Sequence, residues 1–231
     1  MAVKTSSLHV YLLAGVKTSP SVFHACSKKL DEELQNRGMK PAIHVLFPYG
    51  DASRSLFRQV MEVRSDLSNR MNAGRVGGRK VWKNIRDSFA GGERMLLIGH
   101  SGGGAAAYQA ARLLKEADSA IDLRVVQVGS PKTPIVPEMQ ENVSYFHSVD
   151  HLGKLNDPIS KLGSWGGWTR YKRTVPVWNR HKYAPGYVEG IPVMGGHADY
   201  FRHDHPYIDQ EMICNLDKTL GRVKEWLKGW M

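Results

Sequence analysis

The chain has 231 residues, 42% hydrophobic and 23% charged, with a formal net charge of +10. That composition excludes a disordered or collagen-like chain and suits one domain of the α/β kind over residues 1–231. No apolar run reaches the length of a membrane span, and two distant cysteines, Cys26 and Cys214, exclude a disulfide framework. A cytoplasmic protein with both thiols reduced and partly buried is expected.

Basic residues crowd from Arg54 to Arg94. The ordinary explanation is a solvated basic face; the sharper one is weak attraction to an anionic membrane surface or an acidic substrate. No nucleic-acid motif accompanies the charge, so nucleic acid is not an expected partner.

In chain order, residues 8–14 (LHVYLLA) form an apolar run of strand length that stops at Gly15 and a loop reaching Pro20. Residues 21–36 predict a helix with Phe23, Cys26, Leu30 and Leu34 on one face, closed by Arg37-Gly38. A second strand is expected at 42–47 and a long amphipathic helix at 54–71. Residues 72–79 (NAGRVGGR) hold three glycines in eight and predict a mobile loop. Helix returns over 81–89 and ends at Gly91-Gly92, before a strand at 94–98. Beyond it come a helix at 104–114 and strands at 122–129 and 143–149. An irregular aromatic stretch fills 160–186. A last strand at 187–194 carries Gly190 and Pro192, which mark a sheet edge, and an amphipathic helix closes the chain over 207–230. Strands alternating with helices predict a mostly parallel sheet.

Between the strand at 94–98 and the helix that follows stands Gly99-His100-Ser101-Gly102-Gly103. A serine on a tight strand-to-helix turn is forced toward positive φ, and Gly99 and Gly103 supply the room. Such a nucleophile elbow lifts the Ser101 hydroxyl above the sheet, while the helix aims its first free N–H groups at the same spot. The Gly102 N–H is therefore a candidate oxyanion donor. No Gly-Lys-Ser/Thr follows, which argues against a phosphate loop.

An activated serine needs a base and a group to orient it, and on an elbow of this kind the chain order is serine, acid, histidine. His197 follows Gly195-Gly196 just beyond the last expected strand and is the candidate base. Two aspartates compete for the acid. Asp150 directly follows a strand; Asp157 precedes Pro158, which stiffens the turn, and Ile159, which can anchor it. Asp157 is favoured, with Asp150 as the alternative. His197, His203 and His205 with Asp199 and Asp204 match no common zinc-ligand spacing, so no metal and no cofactor is expected.

On these residues the chain resembles α/β-hydrolases of the lipase or esterase kind. The resemblance rests on the strand and loop at 8–15, Gly99-His100-Ser101-Gly102-Gly103, Gly129-Ser130-Pro131, Asp157-Pro158-Ile159 and Gly196-His197, and it spans nearly the whole chain. Gly-His-Ser-x-Gly-Gly and the later Gly-Ser-Pro are similar to class 3 lipases, with Gly102 where those usually carry leucine. It implies a minimal α/β-hydrolase fold of about six strands with helices on both faces, starting at the third strand of the usual eight. It also implies a second oxyanion donor at the Val16 N–H, although Ala14 stands where a histidine is common. In this comparison Phe146-His147-Ser148-Val149-Asp150 also qualifies as the acid strand.

The activity implied is cleavage of a small-molecule or lipid carboxylic ester through an acyl-enzyme. Thioesters and phospholipids would use the same machinery, and a noncatalytic hydrolase-fold binding protein is the rival from another class. The aromatic stretch at 160–186 is expected to form a lid or pocket wall, or to pack on the body.

Overall fold

A computed structural model describes residues 7–67, 75–86, 94–171 and 175–231. Among these residues six strands build one sheet: β1 (Ser7–Leu13), β2 (Lys40–Leu46), β3 (Arg94–His100), β4 (Leu123–Val128), β5 (Val143–Ser148) and β8 (Tyr187–Ile191). Their order is β2-β1-β3-β4-β5-β8, and every neighbouring pair is parallel. Among the described residues five α-helices connect them or close the chain: α1 (His24–Asn36), α2 (Leu56–Asp66), α3 (Val76–Arg86), α4 (Gly102–Ala117) and α5 (Asn215–Trp226). Among the described residues no helix is long and apolar enough to cross a membrane.

The strands are apolar on both faces because helices cover both. Leu8, Val10 and Leu12 of β1, with Leu96 and Ile98 of β3, pack on Leu30 and Leu34 of α1 and Leu220 and Val223 of α5. Tyr11 and Leu13 point the other way, with Leu97 and Val125, toward Ile85 of α3 and Ala107, Ala111 and Leu114 of α4. The period of two thus divides one sheet between two cores. Truncating a side chain such as Leu12 or Ile98, both wholly buried, to alanine costs about 2–5 kcal/mol.

Residues 75–79 depart from the loop expected over 72–79. Helix α3 already begins at Val76, and its glycines serve close packing. A Cβ on Gly78 would lie 2.4 Å from Gln109 Cβ on α4, and one on Gly77 would lie 2.6 Å from the Tyr49 ring. Residues 72–74 lie outside the described ones, as do the expected helical residues 68–71 and 87–89 and the pair 91–92.

Two further departures concern the second half. The irregular stretch contains an antiparallel hairpin, β6 (Gly167–Tyr171) paired with β7 (Val175–Asn179). Pro176 is tolerated in β7 because a two-stranded ribbon is all edge. The last helix is shorter than expected, starting at Asn215. Before it the Asp209 carboxylate accepts the N–H groups of Glu211 and Ile213 and bends the chain into a turn.

Strands β1, β3, β5 and β8 run the same way, so the loops leaving their carboxyl ends gather at one edge of the sheet. Register brings Leu13 opposite Gly99 and Ser148 opposite Ile191. Those four loops carry Val16, Ser101, Asp157 and His197 in turn.

Candidate active site

Ser101 ends β3 and opens α4 with φ 56° and ψ −132°, a left-handed conformation that costs a non-glycine residue of order 1–3 kcal/mol. Its N–H bonds the Val128 carbonyl at 3.0 Å, and its carbonyl accepts the Gly104 N–H at 3.0 Å, so sheet and helix grip it from both sides. Gly15 must be glycine for a local reason: a Cβ there would lie 2.6 Å from Ser101 Cβ and 3.1 Å from its Oγ. The loop after β1 thus passes directly against the serine.

The Ser101 Oγ lies 2.9 Å from His197 Nε2, and His197 Nδ1 lies 3.0 Å from both Asp157 carboxylate oxygens. An ionised carboxylate only accepts, so Nδ1 carries the proton and Nε2 is left to accept the serine O–H. Asp157 is fully buried. Its Oδ1 accepts the Ile159 N–H at 2.8 Å, and its Oδ2 accepts the Ser160 hydroxyl at 3.2 Å and the Tyr200 hydroxyl at 2.8 Å. Burial alone would raise this carboxyl. Its bond and attraction to His197, with the Tyr200 and Ile159 bonds, outweigh that and hold it at about 2.

Asp150 does something else. Its Oδ1 accepts the N–H groups of Leu152 and Lys154, both at 2.9 Å, and pins a turn after β5. Of the two competing aspartates, Asp157 is the one that meets His197.

Several partners were not visible in the sequence. Tyr200, three residues beyond His197, spans the site: its hydroxyl donates to Asp157 and accepts the Ser148 N–H at 2.6 Å. His100 donates Nε2–H to the His197 carbonyl at 2.9 Å and stacks on the His197 ring, centroids 5.0 Å apart. Burial, then the neighbouring His197, push His100 down to about 4, so it stays neutral around pH 7.

On the opposite side, Gln59 of α2 is fully buried. Its Oε1 accepts the Lys17 N–H at 2.8 Å and its Nε2 donates to the Asp51 carbonyl at 2.6 Å. Tyr49 donates to Asp66 at 2.6 Å and lies 3.2 Å from the Gly102 carbonyl. Amide-bearing Gln59 had no motif to announce it; its only signal was a polar residue on the buried stripe of an amphipathic helix.

Above Ser101 opens a cavity of about 560 Å³ whose apolar wall is Val16, Val22, Ala25, Ile159 and Phe201. Its lining comes from the loop after β1, the start of α1, the turn at the end of β3 and the loops after β5 and β8. Among the described residues none of 160–186 lines it; the aromatic stretch, expected to form a lid or pocket wall or to pack on the body, contributes nothing to this wall in its described part.

No protein-family model matches the chain, and no curated protein does. Solved structures resemble it at low identity. The NocB thioesterase domain, in covalent complex with a fluorophosphonate nocardicin G analogue, gives a TM-score of 0.53 at 14% identity, covering 98% of this chain and 97% of that one. The RedJ thioesterase of the prodiginine pathway in Streptomyces coelicolor gives 0.53 at 13%, covering 95% and 90%. The lin2722 gene product of Listeria innocua gives 0.53 at 12%, covering 98% and 96%. With its six parallel strands, flanking helices and these neighbours, the chain has the α/β-hydrolase fold.

Proposed function

We propose that this protein is a serine hydrolase that cleaves carboxylic esters, with Ser101 as nucleophile, His197 as general base and Asp157 as the acid that orients it. One observation carries the proposal: the unbroken hydrogen-bonded line from Asp157 through His197 to Ser101, ending on a serine at φ 56°. A serine held at positive φ costs stability, and a buried carboxylate kept ionised behind the histidine is aimed at it; acyl transfer is the chemistry that uses both.

In the proposed reaction His197 Nε2 takes the Ser101 proton as Oγ bonds to the ester carbonyl carbon. The developing oxyanion is met by the N–H groups of Gly102 and Val16. Neither N–H has a hydrogen-bond partner among the described residues, and each donor of this kind is worth about 100- to 1,000-fold in turnover. Imidazolium then returns the proton to the leaving alcohol as the tetrahedral adduct collapses to the acyl-serine. Water, deprotonated by the same nitrogen, releases the acid and restores the serine. Asp157 stays ionised and stabilises the imidazolium.

The ester assignment is supported by the likeness of Gly99-His100-Ser101-Gly102-Gly103 and Gly129-Ser130-Pro131 to class 3 lipases, and by a cavity with an apolar wall that suits an acyl chain. Two fold neighbours are named as thioesterases, which makes a thioester the second substrate class. Turnover of p-nitrophenyl esters of increasing acyl length is compared with that of matched acyl thioesters. The proposal expects the esters to be cleaved with the higher kcat/KM; a consistent preference for thioesters would reassign the substrate. No turnover of either by folded protein would point to the noncatalytic binding protein.

A further inference from the structure

Helix α2 is amphipathic in an unusual direction. Its buried stripe is partly polar, with Gln59 and Asp66 beside Val63, whereas its outward side chains include Leu56, Phe57, Val60 and Met61, exposed at 48%, 75%, 48% and 48%. At 100° per residue the outward arc runs Leu56, Val60, Arg64, Phe57, Met61, Ser65, Arg58 and holds no carboxylate. Glu62 lies off that arc and is already paired with Arg54 at 2.6 Å and Lys80 at 3.3 Å. Arg58 and Arg64 have no ion-pair partner among the described residues. A surface helix of a globular protein normally turns its polar face to water; this one turns apolar side chains and two unpaired cations.

The helix that carries this face is tied to the candidate site through its opposite, buried side. Gln59, on the inner side of the same helix, holds the Lys17 N–H, and Lys17 lines the cavity above Ser101. We infer that α2 lies in the headgroup layer of an anionic membrane, Phe57 and Met61 entering the acyl boundary and Arg58 and Arg64 meeting lipid phosphates. Charge selects this occupant over a second copy of the chain, because two copies would each bring a net charge of +10 and the same unpaired arginines to the contact. The inference deepens the ester-hydrolase proposal and rests on it only for its consequence, that a lipid ester reaches the cavity from the membrane.

The test is flotation of the full chain with phosphatidylcholine vesicles prepared with and without phosphatidylglycerol, alongside turnover of a soluble short-chain ester without vesicles. The wild type partitions onto vesicles containing phosphatidylglycerol. Phe57→Ser with Met61→Ser lowers that partition by about tenfold or more. Arg58→Glu with Arg64→Glu removes the preference for the anionic lipid, each lost arginine counting for about fivefold. Both pairs keep wild-type turnover of the soluble ester, which reports an intact fold. A separate probe needs no loss of binding: an environment-sensitive dye on Phe57→Cys shifts to the blue with phosphatidylglycerol vesicles.

Equal partition with and without phosphatidylglycerol, unchanged partition of Phe57→Ser with Met61→Ser, or no shift of the dye would each overturn the inference. So would a wild-type dimer that the apolar pair converts to monomer, which would give the face to a second copy. Loss of ester turnover in the wild type with vesicle binding intact would sink the ester proposal and leave the docking surface standing.

Discussion

The two sides of Ser101 are held by different physics. On one side, His197 and Asp157 are fixed by bonds to and from a charged group: Tyr200, Ser160 and Ile159 all donate to the Asp157 carboxylate, and His100 holds the His197 backbone. On the other side the loop with Val16 is fixed by a neutral amide, Gln59, and by Gly15 passing against the serine. A proton-transfer line needs a fixed charge, and charge-assisted bonds are the strong ones. A backbone donor needs only its peptide plane held, which one buried amide can do. The contrast predicts that the first side fails steeply when altered and the second by degrees.

Replacing the proposed nucleophile should give the largest effect. Ser101→Ala should lower kcat by about 10⁴-fold or more with thermal stability unchanged or slightly raised. Next comes the proposed acid: Asp157→Asn should lower kcat by about 10³- to 10⁴-fold, because an amide offers Nδ1 no charge and can present the wrong tautomer. The same variant tests the electrostatics. The folded Asp157 carboxyl stands near 2, below its ordinary 3.8, so its contribution to stability is complete above the unfolded value and is lost as pH falls toward 2. Thermal melts from pH 5 to pH 2 should therefore fall less steeply for Asp157→Asn than for the wild type.

The neutral side should give smaller losses. Gln59→Leu removes the Lys17 anchor while keeping bulk, and should cost about 10- to 100-fold in kcat with KM little changed. A loss confined to KM would mean that the loop binds substrate and takes no part in stabilising the oxyanion. Tyr200→Phe leaves Asp157 its other donors and should cost about tenfold in kcat and about 1–2 kcal/mol in stability. Smallest is Asp150→Asn, within about twofold in kcat, since its carboxylate serves a turn and the expected cost is about 0.5–1.5 kcal/mol of stability.

The first side of this contrast was largely legible in the sequence and the second was not. Ser101 stands in a local glycine pattern between a strand and a helix, and His197 in a glycine-led loop after the last strand, so short-range chemistry marks both. Pro158 and Ile159 favour Asp157 in the sequence but leave Asp150 open, because each follows β5 in a plausible turn; the two differ in that only Asp157 lies within hydrogen-bond distance of His197. Gln59, Tyr200 and His100 act across gaps of about forty to a hundred positions, which no periodicity encodes. Glycines misled at 77 and 78, where they permit helices to approach and do not break them. The alternating strands, apolar on both faces, conveyed the parallel sheet directly; the hairpin β6–β7 was obscured because its strands are five residues each and largely exposed.

Whether Ser101 is an activated nucleophile is read most directly from intact mass after incubation with a fluorophosphonate. One covalent adduct is expected on the wild type, none on Ser101→Ala, and greatly slowed labelling of His197→Ala. A folded wild type that takes no label, or a label that persists in Ser101→Ala, would contradict that role.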